Sequence, residues 1–277
     1  MVHPCCATIQ NVRGLAALIA ALVLSQAALG AQDPLGEARR LYNAASYDEA
    51  ERAARTAAAV PATENSARVV LGRILLERFR QTASDVQLQE ARATLRAVNP
   101  GALDNRERIE LMLGFAEGLY FEDRFVAAAE MFEPIITSSD TLGAAAHEHV
   151  LDWWAAALDH YAASRPTAER IVTYQRISAR MSDELTRDPA CGPASYWLVA
   201  AARGAGDLDG AWGKALAAWL RAPFTRDRGA ALRADLDRLV LQALIPERAL
   251  KLTGRDAVQA TATLTSDWES FKAAWAR

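Results

Sequence analysis

His147-Glu148-His149 sets two imidazoles around a carboxylate. On a helix, positions two apart point away from each other, so the two rings do not converge on one ion. The stretch is not an H-E-x-x-H zinc motif either, because Leu151 stands where the second ligand would be needed. His160 lies roughly three turns further on. No metal is expected, and these histidines are read as facing solvent. Cys191 sits in Asp188-Pro189-Ala190-Cys191-Gly192-Pro193, which reads as a turn between units. A nucleophilic thiol needs a nearby base, and no histidine is close in sequence, so a passive thiol is expected. Asp207 and Asp209 fall in a turn, where Asp is favoured as a cap. There is no G-x-S-x-G, no phosphate-binding glycine loop and no dinucleotide fingerprint. The chain therefore reads as non-catalytic and without a cofactor. Carboxylates from distant segments converging in a groove remain the one route to an enzyme, a helical toroid acting on polysaccharide.

Aromatic residues are the better lead: Tyr42, Trp153, Trp154, Tyr161, Tyr196, Trp197 and Trp212. Most should be core. Any that face outward, beside Arg and Asn, could anchor and clamp a bound peptide.

The elements that must position them repeat. Leu41–Ala58 reads LYNAASYDEAERAARTAA, Leu113–Ile136 reads LGFAEGLYFEDRFVAAAEMFEPII, and Ala201–Pro223 reads AARGAGDLDGAWGKALAAWLRAP. In each, a helix with small residues ends in a short polar turn. An aromatic or Leu follows, then an Ala three residues later, and a second Ala-rich helix. Alanine is the best intrinsic helix former and lets helices approach closely. The spacing predicts helix pairs, and Ala50, Ala91, Ala128 and Ala211 recur near one repeat length, with room for a longer unit before the last. The second unit pairs Ala67–Phe79 with Asp85–Val98, and the fourth pairs Glu148–Ala163 with Ala168–Leu185. A repeated helix–turn–helix unit predicts a stacked solenoid.

These units resemble tetratricopeptide repeats, whose units of about 34 residues carry small residues at the helix crossing, an aromatic near the turn and often a final Pro. Gly206-Asp207-Leu208-Asp209-Gly210-Ala211 looks like the family's turn, with Ala215, Ala218 and Pro223 in register. Ala116, Tyr120, Phe125, Ala128, Phe132 and Ile135 match in the third unit. Ala38, Leu41, Tyr47, Ala50, Ala54 and Ala57 match in the first. The resemblance implies an all-α, right-handed α-solenoid of about five antiparallel helix pairs over 31–223. It also implies a concave groove lined by the first helix of each pair. Carried onto this chain, the groove positions are Arg39, Tyr42 and Asn43, then Leu113, Glu117, Tyr120 and Phe121, then Tyr196 and Arg203. The Lys/Asn set that clamps a carboxyl terminus in some family members is absent.

Beyond Pro223 the pattern changes. Leu232, Leu236, Leu239, Val240, Ala243 and Leu244 form one apolar helical stripe. Pro246 is read as starting a new element, and Ser266-Asp267-Trp268-Glu269 as starting a last helix. Residues 224–277 are expected to cap the open end of the repeats.

At the other end, Leu15–Leu24 is an unbroken apolar run, preceded by Arg13 and followed by SQAALGA. It is short for a bilayer span, and its flanks match a secretory signal peptide over 1–30, with cleavage near Gly30/Ala31. An uncleaved anchor is the alternative. Cys5 and Cys6 precede the run, so cleavage would leave Cys191 alone, with no partner for an internal disulfide. Hydrophobic residues make up 51% of the chain and charged residues 23%, a globular composition. The net charge of −3, with no basic run, excludes a typical nucleic-acid binder. The expectation is an exported bacterial protein, periplasmic or secreted, that holds a peptide or a partner's segment, without a membrane span after cleavage. A structural subunit of an envelope assembly is the competing reading.

Overall fold

A computed structural model describes residues 33–254 and 257–275. The expected signal segment, with Cys5 and Cys6, lies outside them. Among the described residues the chain is all-helical, with no strand. Five helix pairs follow one another: α1 (Pro34–Asn43) with α2 (Tyr47–Ala58), α3 (Glu64–Thr82) with α4 (Asp85–Arg96), α5 (Asn105–Phe121) with α6 (Phe125–Ser138), α7 (Ala144–Ala163) with α8 (Thr167–Arg187), and α9 (Gly192–Gly204) with α10 (Leu208–Arg221). Each helix packs on the next. The first helix of each pair also packs on the first helix of the following pair, α1 on α3, α3 on α5, α5 on α7 and α7 on α9. That contact order is consistent with an α-solenoid.

The alanines expected at the crossings are fully buried. Ala50, Ala91, Ala128 and Ala211 have no exposed surface. A methyl side chain there lets two helix backbones approach without leaving a void.

The turns share one backbone device. At the end of α1, Ala45 is left-handed (φ 57°), its N–H donates to the Tyr42 carbonyl at 3.0 Å, and the Ser46 N–H donates to the Leu41 carbonyl at 3.0 Å. At the end of α5, Asp123 (φ 57°) and Arg124 make the same two bonds, to Tyr120 and Leu119. At the end of α9, Gly206 (φ 85°) and Asp207 do so to Arg203 and Ala202. This is the Schellman closure of a helix. The three turns belong to the three units that were most alike in sequence. The second unit uses a single bond instead, from Ala83 (φ 52°) to the Phe79 carbonyl. The fourth has no left-handed residue, and its turn ends in Pro166.

Past α10 two expectations need correction. Pro246 does not start a separate element. The helix α11 (Ala230–Leu239) runs through a π-helical turn at Val240–Leu244 into α12 (Ile245–Thr253). The widened turn just before Pro246 shifts the hydrogen-bond register and relieves the clash a proline ring makes with the preceding turn. Ser266-Asp267 does not start the last helix either. That helix, α13, spans Val258–Ala274. Leu264 and Trp268, one turn apart, face inward, while Ser266 and Asp267 sit on its exposed side. Trp268 is fully buried, with its ring against Trp212, Trp219 and Phe271 and its Nε1 donating to Asp237 at 2.8 Å.

Candidate binding groove

The first helices of pairs one to four line a groove of about 900 Å³. From α1 come Arg39, Tyr42 and Asn43, and Tyr47 follows from the start of α2. From α3 come Val70, Arg73, Glu77 and Arg80, one face at helical spacing. Helix α5 adds Arg106, Glu110, Leu113, Tyr120 and Phe121. Helix α7 adds His149, Asp152, Trp153 and three alanines.

The groove carries four arginines, and each is held by a neighbour. Arg39 bonds Glu107 at 2.7 Å, Arg80 bonds Glu77 at 2.8 Å, and Arg106 bonds Glu110 at 3.1 Å. Arg73 lies over the Tyr42 ring at 5.1 Å and reaches Glu117 at 3.4 Å. An aromatic cluster spans α5 and α7. Tyr120 meets Trp153 edge-on at 4.7 Å, and Phe121 meets Trp153 at 5.3 Å and Phe79 at 5.1 Å. The Trp153 indole N–H donates to His149 Nε2 at 2.7 Å, which fixes that imidazole as an acceptor there.

Glu107 and Glu117 share α5 and differ in electrostatics. Glu107 closes the helix start: the Asp104 side chain accepts from its N–H, and its own carboxylate accepts from the Asp104 N–H. Burial works to raise its pKa, but bonds from Ser66, Arg39 and the Asp104 backbone outweigh it and hold the group low. Glu117 is 1% exposed, and its Oε2 has no hydrogen-bond partner. Burial there outweighs the attraction of Arg73 and pushes the carboxyl up.

Of the positions expected from sequence, Arg39, Tyr42, Asn43, Leu113, Tyr120 and Phe121 meet in this groove. Glu117 lies beneath it, bonded to Arg73, rather than in its lining. Tyr196 and Arg203 are elsewhere. Tyr196 packs between two cores, against Trp197 at 5.3 Å, and Arg203 Nε is bonded to Glu247 of α12 at 3.0 Å. The groove therefore ends at α7. Sequence reading named Trp153 among its aromatic leads but missed Arg73, Glu77, Arg106 and, on α7, His149 and Asp152. Their signal was the spacing of Val70, Arg73 and Glu77 along one face.

The other chemical candidates resolve differently. His147 is buried, not solvent-facing, with its Nε2 3.0 Å from Glu184 on α8. His149 and His160 are exposed. Burial pushes the Cys191 thiol up to about 12, so it stays protonated and unreactive at neutral pH. Asp207 caps α10 by accepting from the Gly210 N–H at 2.9 Å. Among the described residues, no group of three or more His, Cys, Asp or Glu is placed to hold a metal ion, and no helix is long and apolar enough to cross a membrane. No protein-family model, curated protein or solved structure matches this chain.

Proposed function

We propose that this protein is a non-catalytic scaffold that holds a peptide or a segment of a partner protein along the groove of α1, α3, α5 and α7. The observation that carries the reading is the groove's make-up. It brings the aromatic rings of Tyr42, Tyr120, Phe121 and Trp153 together with Arg39 and Asn43. Aromatic rings supply rigid contact area, and Arg and Asn supply donors for a peptide's carbonyls. The carboxylates of the groove are already engaged, Glu77 and Glu110 by arginines and Asp152 by the Trp197 indole at 2.7 Å. That favours binding over acid–base chemistry. The tetratricopeptide-like, right-handed solenoid reading and export to a bacterial envelope belong to the same proposal. They rest on the repeated turns and on the apolar run at Leu15–Leu24.

The test is site-specific photocrosslinking from Asn43, which is exposed in the groove, compared with Glu90 outside it. A discrete adduct in envelope extract from Asn43 and not from Glu90 is expected. No adduct, or equal adducts, sinks the reading. A second reading, a stable subunit of an envelope assembly, draws on Leu250, Leu252 and Val258, which are apolar and exposed around the end of α12 and the start of α13. Light scattering of the protein with and without envelope proteins separates the two readings.

A further inference from the structure

A second cavity lies away from the groove, between α4 and α6, with α5 as its floor. It holds about 380 Å³, within the range of small-molecule sites. Leu88 and Leu95 of α4, Phe115 and Leu119 of α5, and Met131 of α6 form its walls. It opens at the seam between two packed cores, since Leu88, Leu95 and Phe115 belong to the first and Leu119 and Met131 to the second. Gly118 of α5 faces this space. A Cβ built on Gly118 meets nothing within 4 Å.

The charged groups are confined to the rim. Arg92 and Glu122 bond each other at 3.1 Å, which ties α4 to the end of α5 beside the cavity. Arg96, one turn along α4, is exposed and has no acidic partner among the described residues. The apolar walls are recessed, because Leu95 is 2% exposed and the other side chains are half-buried. A volume of about 380 Å³ is small for a helix about 10 Å wide. A single methylene chain is narrower. Inside the cavity such a chain loses water contact, and at the rim a carboxylate headgroup meets the free guanidinium of Arg96.

We propose that this cavity binds the chain of a single-chain anionic amphiphile, a fatty-acid carboxylate, with Arg96 at the headgroup. The site shares no lining residue with the groove, so it stands or falls separately from the peptide-binding reading.

The test uses the full-length chain and the fluorescent fatty acid cis-parinaric acid, with dodecanoate and dodecanol as competitors. Saturable binding at one molecule per chain, displaced by dodecanoate below its micelle concentration, is expected. Gly118→Leu fills the cavity from an unstrained helical position, so it should keep the fold by circular dichroism and weaken binding at least about tenfold. Arg96→Ala should weaken dodecanoate by about threefold and leave dodecanol unchanged, as an exposed charge contact predicts. Absence of saturable binding overturns the proposal. So does equal binding by Gly118→Leu, which would place the ligand elsewhere on the chain.

Discussion

Single glycines and carboxylates decide more here than their size suggests. A side chain on Gly204 would run into the Tyr174 ring, which is fixed by its hydroxyl donating to Asp159 at 2.8 Å. Gly204→Ala should therefore destabilise by about 1–3 kcal/mol in urea unfolding. Gly118→Ala, with open space around it, should be neutral or stabilise by up to about 1 kcal/mol through helix propensity. Glu117 makes a prediction with a definite sign. Its folded pKa lies above the ordinary 4.5, so the folded protein keeps a proton that the unfolded chain releases. Its contribution favours folding below that ordinary value and is lost as pH rises through the folded value. Urea unfolding from about pH 4 to about pH 7 should show the wild type losing stability relative to Glu117→Gln. No difference in slope between the two would mean that Arg73 and Glu117 form a fully compensated pair.

At the scale of elements, the shared turn explains what could be read in advance. Leu41, Leu119 and Ala202 occupy one slot of the Schellman closure, and Tyr42, Tyr120 and Arg203 the next. The closure fixes the spacing between the end of one helix and the start of the next, so the first, third and fifth pairs could be aligned on one another. The crossing alanines were legible because close helix contact tolerates little else. The second and fourth pairs close differently, at Ala83 and Pro166, and without the shared turn there was no register on which to place Arg73 or His149 in the groove. Burial of His147 was illegible because its partner Glu184 is on another helix. The left-handed turns are themselves testable. Ala45 carries a Cβ in a conformation that suits glycine, so Ala45→Gly should stabilise by about 0.5–1 kcal/mol after the entropy of the unfolded chain is counted. Gly206→Ala should cost a similar amount. Thermal melts of the two variants should move in opposite directions.

At the scale of the molecule, the last core depends on residues far apart in sequence. Trp268 of α13 closes against Trp212 and Trp219 of α10, and Lys272 bonds Asp237 of α11 at 2.6 Å. Trp268→Ala should cost about 3–5 kcal/mol, seen as an early transition in chemical unfolding. If the loss spreads to the whole chain in one step, the pairs fold as a single cooperative unit. A separate early phase would show that the C-terminal segment melts alone.

Arg203 occupies the same turn slot as Tyr42 and Tyr120, yet Glu247 holds it and α11 packs over α9. Among the described residues, the groove's lining therefore stops at α7, where the following pair is taken up by its own cap. In the proposed binding mode, a segment lying along α1, α3, α5 and α7 must stop or swing outward beyond α7. The protein would then sense where a partner's chain terminates or bends, as well as which side chains it carries. Lengthening such a peptide past α7 should add no affinity, as a titration with peptides of graded length would read.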